Sequence, residues 1–230
     1  KRILSDLEVH GLQWDGEVIF QSNRQSAYMD ALSKLAQKKK LFKCACSRKS
    51  LSADGACNAS CSSHQNRLNG KLSVRFNSED IPSTEVPDFI LDQKIIVGAS
   101  LPDNFIVRRR DNLFSYQLAV VVDDAWQAVT HVIRGSDLIE STPKQHIIYS
   151  ALCLPSPMYG HIPIISDLNG RKLSKRTHAP PLESHHARDN LRTALTLLGQ
   201  AQPSDNLNHP TEILRSAAEN WNRENIPKTD

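Results

Sequence analysis

Residues 113–165 read LFSYQLAVVVDDAWQAVTHVIRGSDLIESTPKQHIIYSALCLPSPMYGHIPII, and the change of period along them decides the fold. The apolar stretch LFSYQLAVVVDD (113–124) predicts a helix, and VTHVIRG (129–135) reads as a buried strand. Ser141, Thr142 and Pro143 open a second helix, and HIPII (161–165) predicts a second strand. Strands that alternate with helices pair in parallel, so this stretch predicts an α/β protein.

Upstream, Ile3, Leu4 and Leu7 share one helical face with no capping residue or turn ahead of them, as if the chain began within an element. Residues 23–42 predict a helix with Tyr28, Leu32 and Leu35 inward and Lys38, Lys39 and Lys40 near its end, where cations suit the helix dipole. Runs at 71–76, 88–92, 94–98 and 105–109 alternate in polarity and predict a small antiparallel insertion. Downstream, 187–199 and 210–221 are helical, with Leu191, Leu195 and Leu198 at core spacing and a polar tail expected to fray. The organisation expected is 1–43 and 105–180 as two parts of one catalytic fold, 44–104 as an insertion, and 181–230 as a helical C-terminal segment.

With 230 residues, 39% hydrophobic and 23% charged, the chain has the composition of an ordinary globular protein. Its net charge of +3 permits RNA binding without demanding it. No run approaches the roughly 20 apolar residues of a membrane span, and the start has no apolar signal-peptide core. An odd number of cysteines, five, with four of them between Cys44 and Cys61, suits a metal site in a reducing compartment, so a cytoplasmic protein is expected.

Cys44, Cys46, Cys57 and Cys61 form two close pairs across a short loop, able to offer four thiolates to one tetrahedral ion, for which zinc is the natural choice. Two disulfides or free thiols are the alternatives, although Cys44 and Cys46 are too close in sequence to bridge each other without strain. A site with four protein ligands is closed, so such a zinc is structural. Cys153, on the apolar side of the helix 143–153, reads as a small buried hydrophobe.

Asn169-Gly170-Arg171-Lys172-Leu173-Ser174-Lys175-Arg176 sets four cations and a serine in a loop that follows a strand. Such a loop suits a polyphosphate: attack at the α-phosphate of ATP builds negative charge on the departing pyrophosphate, which lysines stabilise. A basic surface turn is the plainer alternative. Arg108, Arg109 and Arg110 suit either RNA phosphates or a solvated strand edge. Asp123 and Asp124 sit where a helix ends, a place that disfavours negative charge, so other groups must hold them. No catalytic role is assigned to either aspartate.

The KLSKR segment (172–176) resembles the KMSKS signature of class I aminoacyl-tRNA synthetases. Together with Arg109-Arg110-Asp111, FSYQLAVVVDD (114–124), VTHVIRG (129–135) and Ser141-Thr142-Pro143, it is similar to the glutamyl-Q tRNA(Asp) synthetase family over nearly the whole chain. The resemblance implies a class I, Rossmann-like parallel sheet whose first strand and helix are missing, with a zinc-containing insertion and a helical tail. It implies that Tyr116 and Arg134 contact L-glutamate, a guanidinium fork meeting a carboxylate. It assigns ATP to Lys172, Ser174 and Lys175, the two lysines being catalytic. Without it, Tyr116 reads as core and Arg134 as an ion-pair partner of Asp123 or Asp137. The family places Cys, Cys, Tyr and Cys around its zinc, and here Cys57 stands at the apparent tyrosine position, which favours metal binding.

The family's HIGH-type segment is absent from this sequence, as if the chain started roughly sixty residues late, a deficit near one βαβ unit. Only about fifty residues follow KLSKR, too few for the anticodon-binding region of an ordinary glutamyl-tRNA synthetase. The implied reaction is ATP-dependent, magnesium-assisted formation of glutamyl-adenylate, then transfer to queuosine in the anticodon loop of tRNA(Asp), by a monomer. A truncated glutamyl-tRNA synthetase and a non-catalytic zinc-containing RNA- or nucleotide-binding module are the competing readings.

Overall fold

The computed structural model describes residues 2–46, 57, 61, 70–79, 81–98, 104–166, 172–173 and 182–228. Two compact units divide the chain: residues 1–18, 134–137 and 161–230 form the first, and 19–133 with 138–160 the second.

In the second unit, α2 (Gln25–Gln37) buries Tyr28, Ala31, Leu32 and Leu35, a stripe at intervals of three and four residues. Lys39 takes a left-handed φ of 56° and ends the helix, with Lys40 N–H closing on Leu35 O at 3.0 Å. That early stop releases β1 (Leu41–Cys44), which sequence periodicity absorbs into a helix over 23–42. Lys38 does more than complement a dipole: its ammonium donates to Ala151 O at 2.6 Å.

β1 pairs antiparallel with β2 (Ser73–Phe76), and β2 with β5 (Ile106–Arg108). A second sheet has the order β4-β3-β7-β6, built from β3 (Thr84–Asp88), β4 (Gln93–Val97), β6 (His131–Gly135) and β7 (Met158–Ile162). The β3–β4 hairpin is antiparallel, but β3 runs parallel to β7, so the hairpin joins the α/β sheet instead of standing apart from it.

The expected strand at 88–92 lies four residues too late. Asp88 Oδ1 accepts the N–H groups of Ile90 and Leu91 at 3.0 and 2.9 Å, turning the chain where a ladder would otherwise continue. The strand expected at 161–165 begins instead at Met158 and stops before Pro163, which has no N–H to extend a ladder.

α3 (Tyr116–Trp126) is capped by Ser115, whose Oγ accepts Leu118 N–H, and buries Leu118, Ala119 and Val121. α4 (Ser141–Leu152) ends at Cys153 with φ 57°. Cys153 is therefore exposed and not the buried hydrophobe expected: the left-handed cap turns it off the helix face, and Lys38 Nζ lies 3.1 Å from its sulfur. Leu35, Phe76, Val97, Val107, Leu118 and Ile148 are fully buried in the main core. Trimming Leu35 or Leu118 to alanine removes about 2–5 kcal/mol.

The first unit holds α1 (Arg2–Val9), α5 (Ala187–Leu197) and α6 (Pro210–Glu219). Leu191 and Leu195 pack on Ile213 and Ala217, as the leucine spacing predicts. α1 half-buries Leu4 and Leu7 but leaves Ile3 exposed. It is tied down by polar contacts, Ser184 Oγ to Asp6 Oδ1 at 2.9 Å and Asn190 Nδ2 with His10 Nε2 at 3.0 Å.

The polar tail is anchored rather than frayed through its described residues. Gln200 Nε2 donates to Asn222 O at 3.0 Å, Asn222 N–H returns to Gln200 Oε1 at 2.9 Å, and Ile226 is buried. Gly199 makes the approach possible, since a Cβ there would stand 2.1 Å from Asn225 O.

Candidate functional site

Cys44 ends β1, and its strand neighbour Ser73 donates from Oγ to Cys44 O at 3.1 Å. With Cys46, Cys57 and Cys61 it forms a group whose four sulfurs all lie within 4.8 Å of one another. Cys46 Sγ is 3.5 Å from both Cys57 Sγ and Cys61 Sγ. Metal–sulfur bonds of about 2.3 Å in a tetrahedron give sulfur–sulfur edges of about 3.8 Å, so the group has the size of a single-ion site.

Burial opposes ionisation of Cys44, but the Cys46 N–H, thiol contacts from Cys46 and Cys57, and the Arg75 guanidinium together hold its pKa below the usual thiol value. Burial and neighbouring sulfurs push Cys46 and Cys57 upward. Cys44 thus gives up its proton more readily than a free thiol, whereas Cys46 and Cys57 hold theirs more tightly until a cation competes for the sulfur.

Arg110 braces the same site, donating from Nη2 to Ala45 O and, at 2.6 Å, to Cys46 O. Its neighbours are also engaged. Arg109 pairs with Asp111 at 2.6 Å, and Arg108 lies over the Phe114 ring. Each member of the arginine run thus has a partner within the protein, on a strand edge where Arg109 and Arg110 remain exposed.

Asp123 is accounted for by its surroundings in the second unit. It accepts from Arg24 Nε at 2.6 Å, Tyr28 Oη at 2.7 Å and Gln21 Nε2 at 3.1 Å, and Arg24 in turn lies 4.3 Å over the Trp126 ring. Three donors offset an unfavourable place near the end of α3. Burial first, then Asp123, raises the Tyr28 pKa to about 12.

Tyr116, at the start of α3, is 47% exposed instead of core. In the first unit, Arg134 donates from Nε to His161 Nε2 at 3.1 Å. It does not rely on Asp123, which Arg24 occupies, and Asp137 forms its ion pair with Lys172. Lys172 and Leu173 close back on the segment that follows β7: Lys172 forms an isolated antiparallel bridge with Ser166, and Leu173 N–H reaches Ile165 O at 2.8 Å. Ser174 and Lys175 lie outside the described residues. Arg134, Asp137, His161 and Lys172 thus belong to one unit; the sequence points to Arg134 and Lys172 as site residues and to Asp137 as a possible partner, and passes over His161.

The family model described as tRNA synthetases class I (E and Q), catalytic domain, matches residues 1–206. The chain belongs to that family. The glutamyl-Q tRNA(Asp) synthetase of Idiomarina loihiensis is 39% identical over 229 residues, 95% of this chain and 77% of the relative. A Synechococcus protein of the same name is 42% identical over 213 residues, 89% of this chain and 71% of the relative. Among solved structures, the glutamate-tRNA synthetase of Elizabethkingia anophelis matches 99% of this chain and 56% of its own with a TM-score of 0.73 at 19% identity. This chain therefore spans a little over half of that synthetase, a likeness that bears on the fold. The class I synthetase fold, the ligase class and the family expected from the sequence are thereby met. Among the described residues no helix is long and apolar enough to cross a membrane.

Proposed function

We propose that this protein activates L-glutamate with ATP and transfers it to queuosine in the anticodon loop of tRNA(Asp), acting in the cytoplasm as a monomer. The observation that carries the reading is the identity of 36–42% with curated relatives named glutamyl-Q tRNA(Asp) synthetase over most of the chain.

Activation joins a glutamate α-carboxylate oxygen to the α-phosphorus of ATP, breaks the bond to the bridging oxygen, and releases pyrophosphate. Arg134 and Tyr116 hold the amino acid. Lys172, Ser174 and Lys175 attend the triphosphate, and the two lysines meet the charge that develops on pyrophosphate. Magnesium accompanies the nucleotide. In the second step a queuosine hydroxyl attacks the activated carbonyl, an ester forms, AMP leaves, and the hydroxyl proton passes to solvent. Zinc on Cys44, Cys46, Cys57 and Cys61 is structural: four thiolates leave it no open position, and it holds the segment between β1 and β2.

The test is glutamate-dependent exchange of labelled pyrophosphate into ATP without tRNA, in the protein with its native start, followed by transfer of labelled glutamate to tRNA(Asp) with and without queuosine. Exchange without tRNA and queuosine-dependent transfer support the reading. Transfer to the terminal adenosine would replace it with ordinary charging, and absence of exchange would leave a binding module.

A further inference from the structure

Arg134 carries amino-acid recognition in the proposed function, and the strand next to it supplies one polar side chain that the reaction leaves without a role. His161 is 0% exposed, on β7, the neighbour of β6 in the sheet. Its Nε2 takes the hydrogen bond from Arg134 Nε at 3.1 Å. A ring nitrogen that accepts carries no proton, so the imidazole is neutral.

A neutral acceptor suits this place better than a carboxylate would. Aspartate or glutamate would orient the guanidinium too, but would also cancel its charge and compete with the substrate's carboxylate. Imidazole fixes the plane of the fork without itself bringing a negative charge to it. An arginine held through Nε loses less rotamer freedom when it binds, which turns up as affinity.

We infer that His161 is a positioning residue for amino-acid binding, acting through Nε2 to set the plane in which Arg134 meets the substrate carboxylate. The inference rests on the reading of Arg134 as a glutamate-binding group.

The test uses two amides of different reach in the protein with its native start. Glutamine places its terminal oxygen near where Nε2 stands, whereas asparagine reaches only as far as Nδ1. In pyrophosphate exchange, His161→Gln keeps the KM for glutamate within about threefold, and His161→Asn raises it on the order of tenfold to a hundredfold, the value of a hydrogen bond to a charged group. The KM for ATP stays within about twofold in both, and thermal midpoints of the two variants agree. Equal effects of the two amides on glutamate, or an equal rise in the KM for ATP, would overturn the positioning role. Arg134→Ala, measured alongside, separates the two levels of the argument. If it leaves the glutamate KM unchanged, the reading of Arg134 fails; if it raises that KM while His161→Asn does not, the role of His161 alone fails.

Discussion

Arg24 Nε and Asp123 Oδ1 meet at 2.6 Å across 99 residues of chain, with both side chains nearly removed from solvent. Their ion pair, widened by Gln21 and Tyr28, fastens the start of α2 to the end of α3. Removing one partner leaves a buried charge without compensation. Asp123→Ala is therefore expected to lower unfolding stability by about 3–5 kcal/mol, and Asp123→Asn by less, since an amide oxygen still accepts. Urea denaturation of the two variants checks the order.

Tyr28 gives that clasp a pH dependence. Its pKa rises from 10.0 to about 12 on folding, so the folded state holds the phenolic proton more tightly than the unfolded chain. The stabilisation is complete below pH 10 and is lost as pH climbs from 10 to 12. The urea midpoint should fall over that window in the native protein, with a shallower fall in Tyr28→Phe.

Zinc content offers a third check. One ion per chain is expected by elemental analysis, lost in Cys57→Ser and with a strong chelator, and its loss should lower the thermal midpoint. Arg110→Ala keeps every sulfur but removes the donor to Ala45 O and Cys46 O, so it should bind one zinc and release it faster to a chelator. An unchanged release rate would confine Arg110 to the protein surface.

Lys172→Ala should reduce the rate of adenylate formation by about a hundredfold while leaving the KM for glutamate within about twofold. Single-turnover formation of glutamyl-adenylate measures this directly. A rise confined to the glutamate KM would move Lys172 to the amino-acid side of the reaction.

Patterns that repeat along the chain were legible. Leu191 and Leu195 of α5 and the stripe Tyr28, Leu32, Leu35 are buried as their spacing predicts, while Leu198, just past the helix end, is half-buried. The convergence of Cys57 and Cys61 on Cys44 and Cys46 follows from ligand spacing alone. What sequence did not reveal were contacts set by single backbone angles or by partners far away. Lys39 and Cys153 each adopt a positive φ that no periodicity records, which hid β1 and misplaced the thiol. The fastening of Asp123 by Arg24 joins residues with no sequence relation, and His161 was concealed in an apolar run where it read as one more strand residue. Tyr116 looked like core because an aromatic beside an apolar helix usually is, but the first turn of α3 leaves it accessible.

The pairing of Cys44 with Ser73 places the exit and re-entry points of residues 45–72 side by side on adjacent strands. An excursion whose ends already touch is cheap to resize, because doubling a loop's length costs about 0.6 kcal/mol in closure entropy. That span is therefore the place where the fold would accept a graft: a transplanted metal-binding knuckle, or a tag, could be spliced between the two strands while the sheet around it keeps its register.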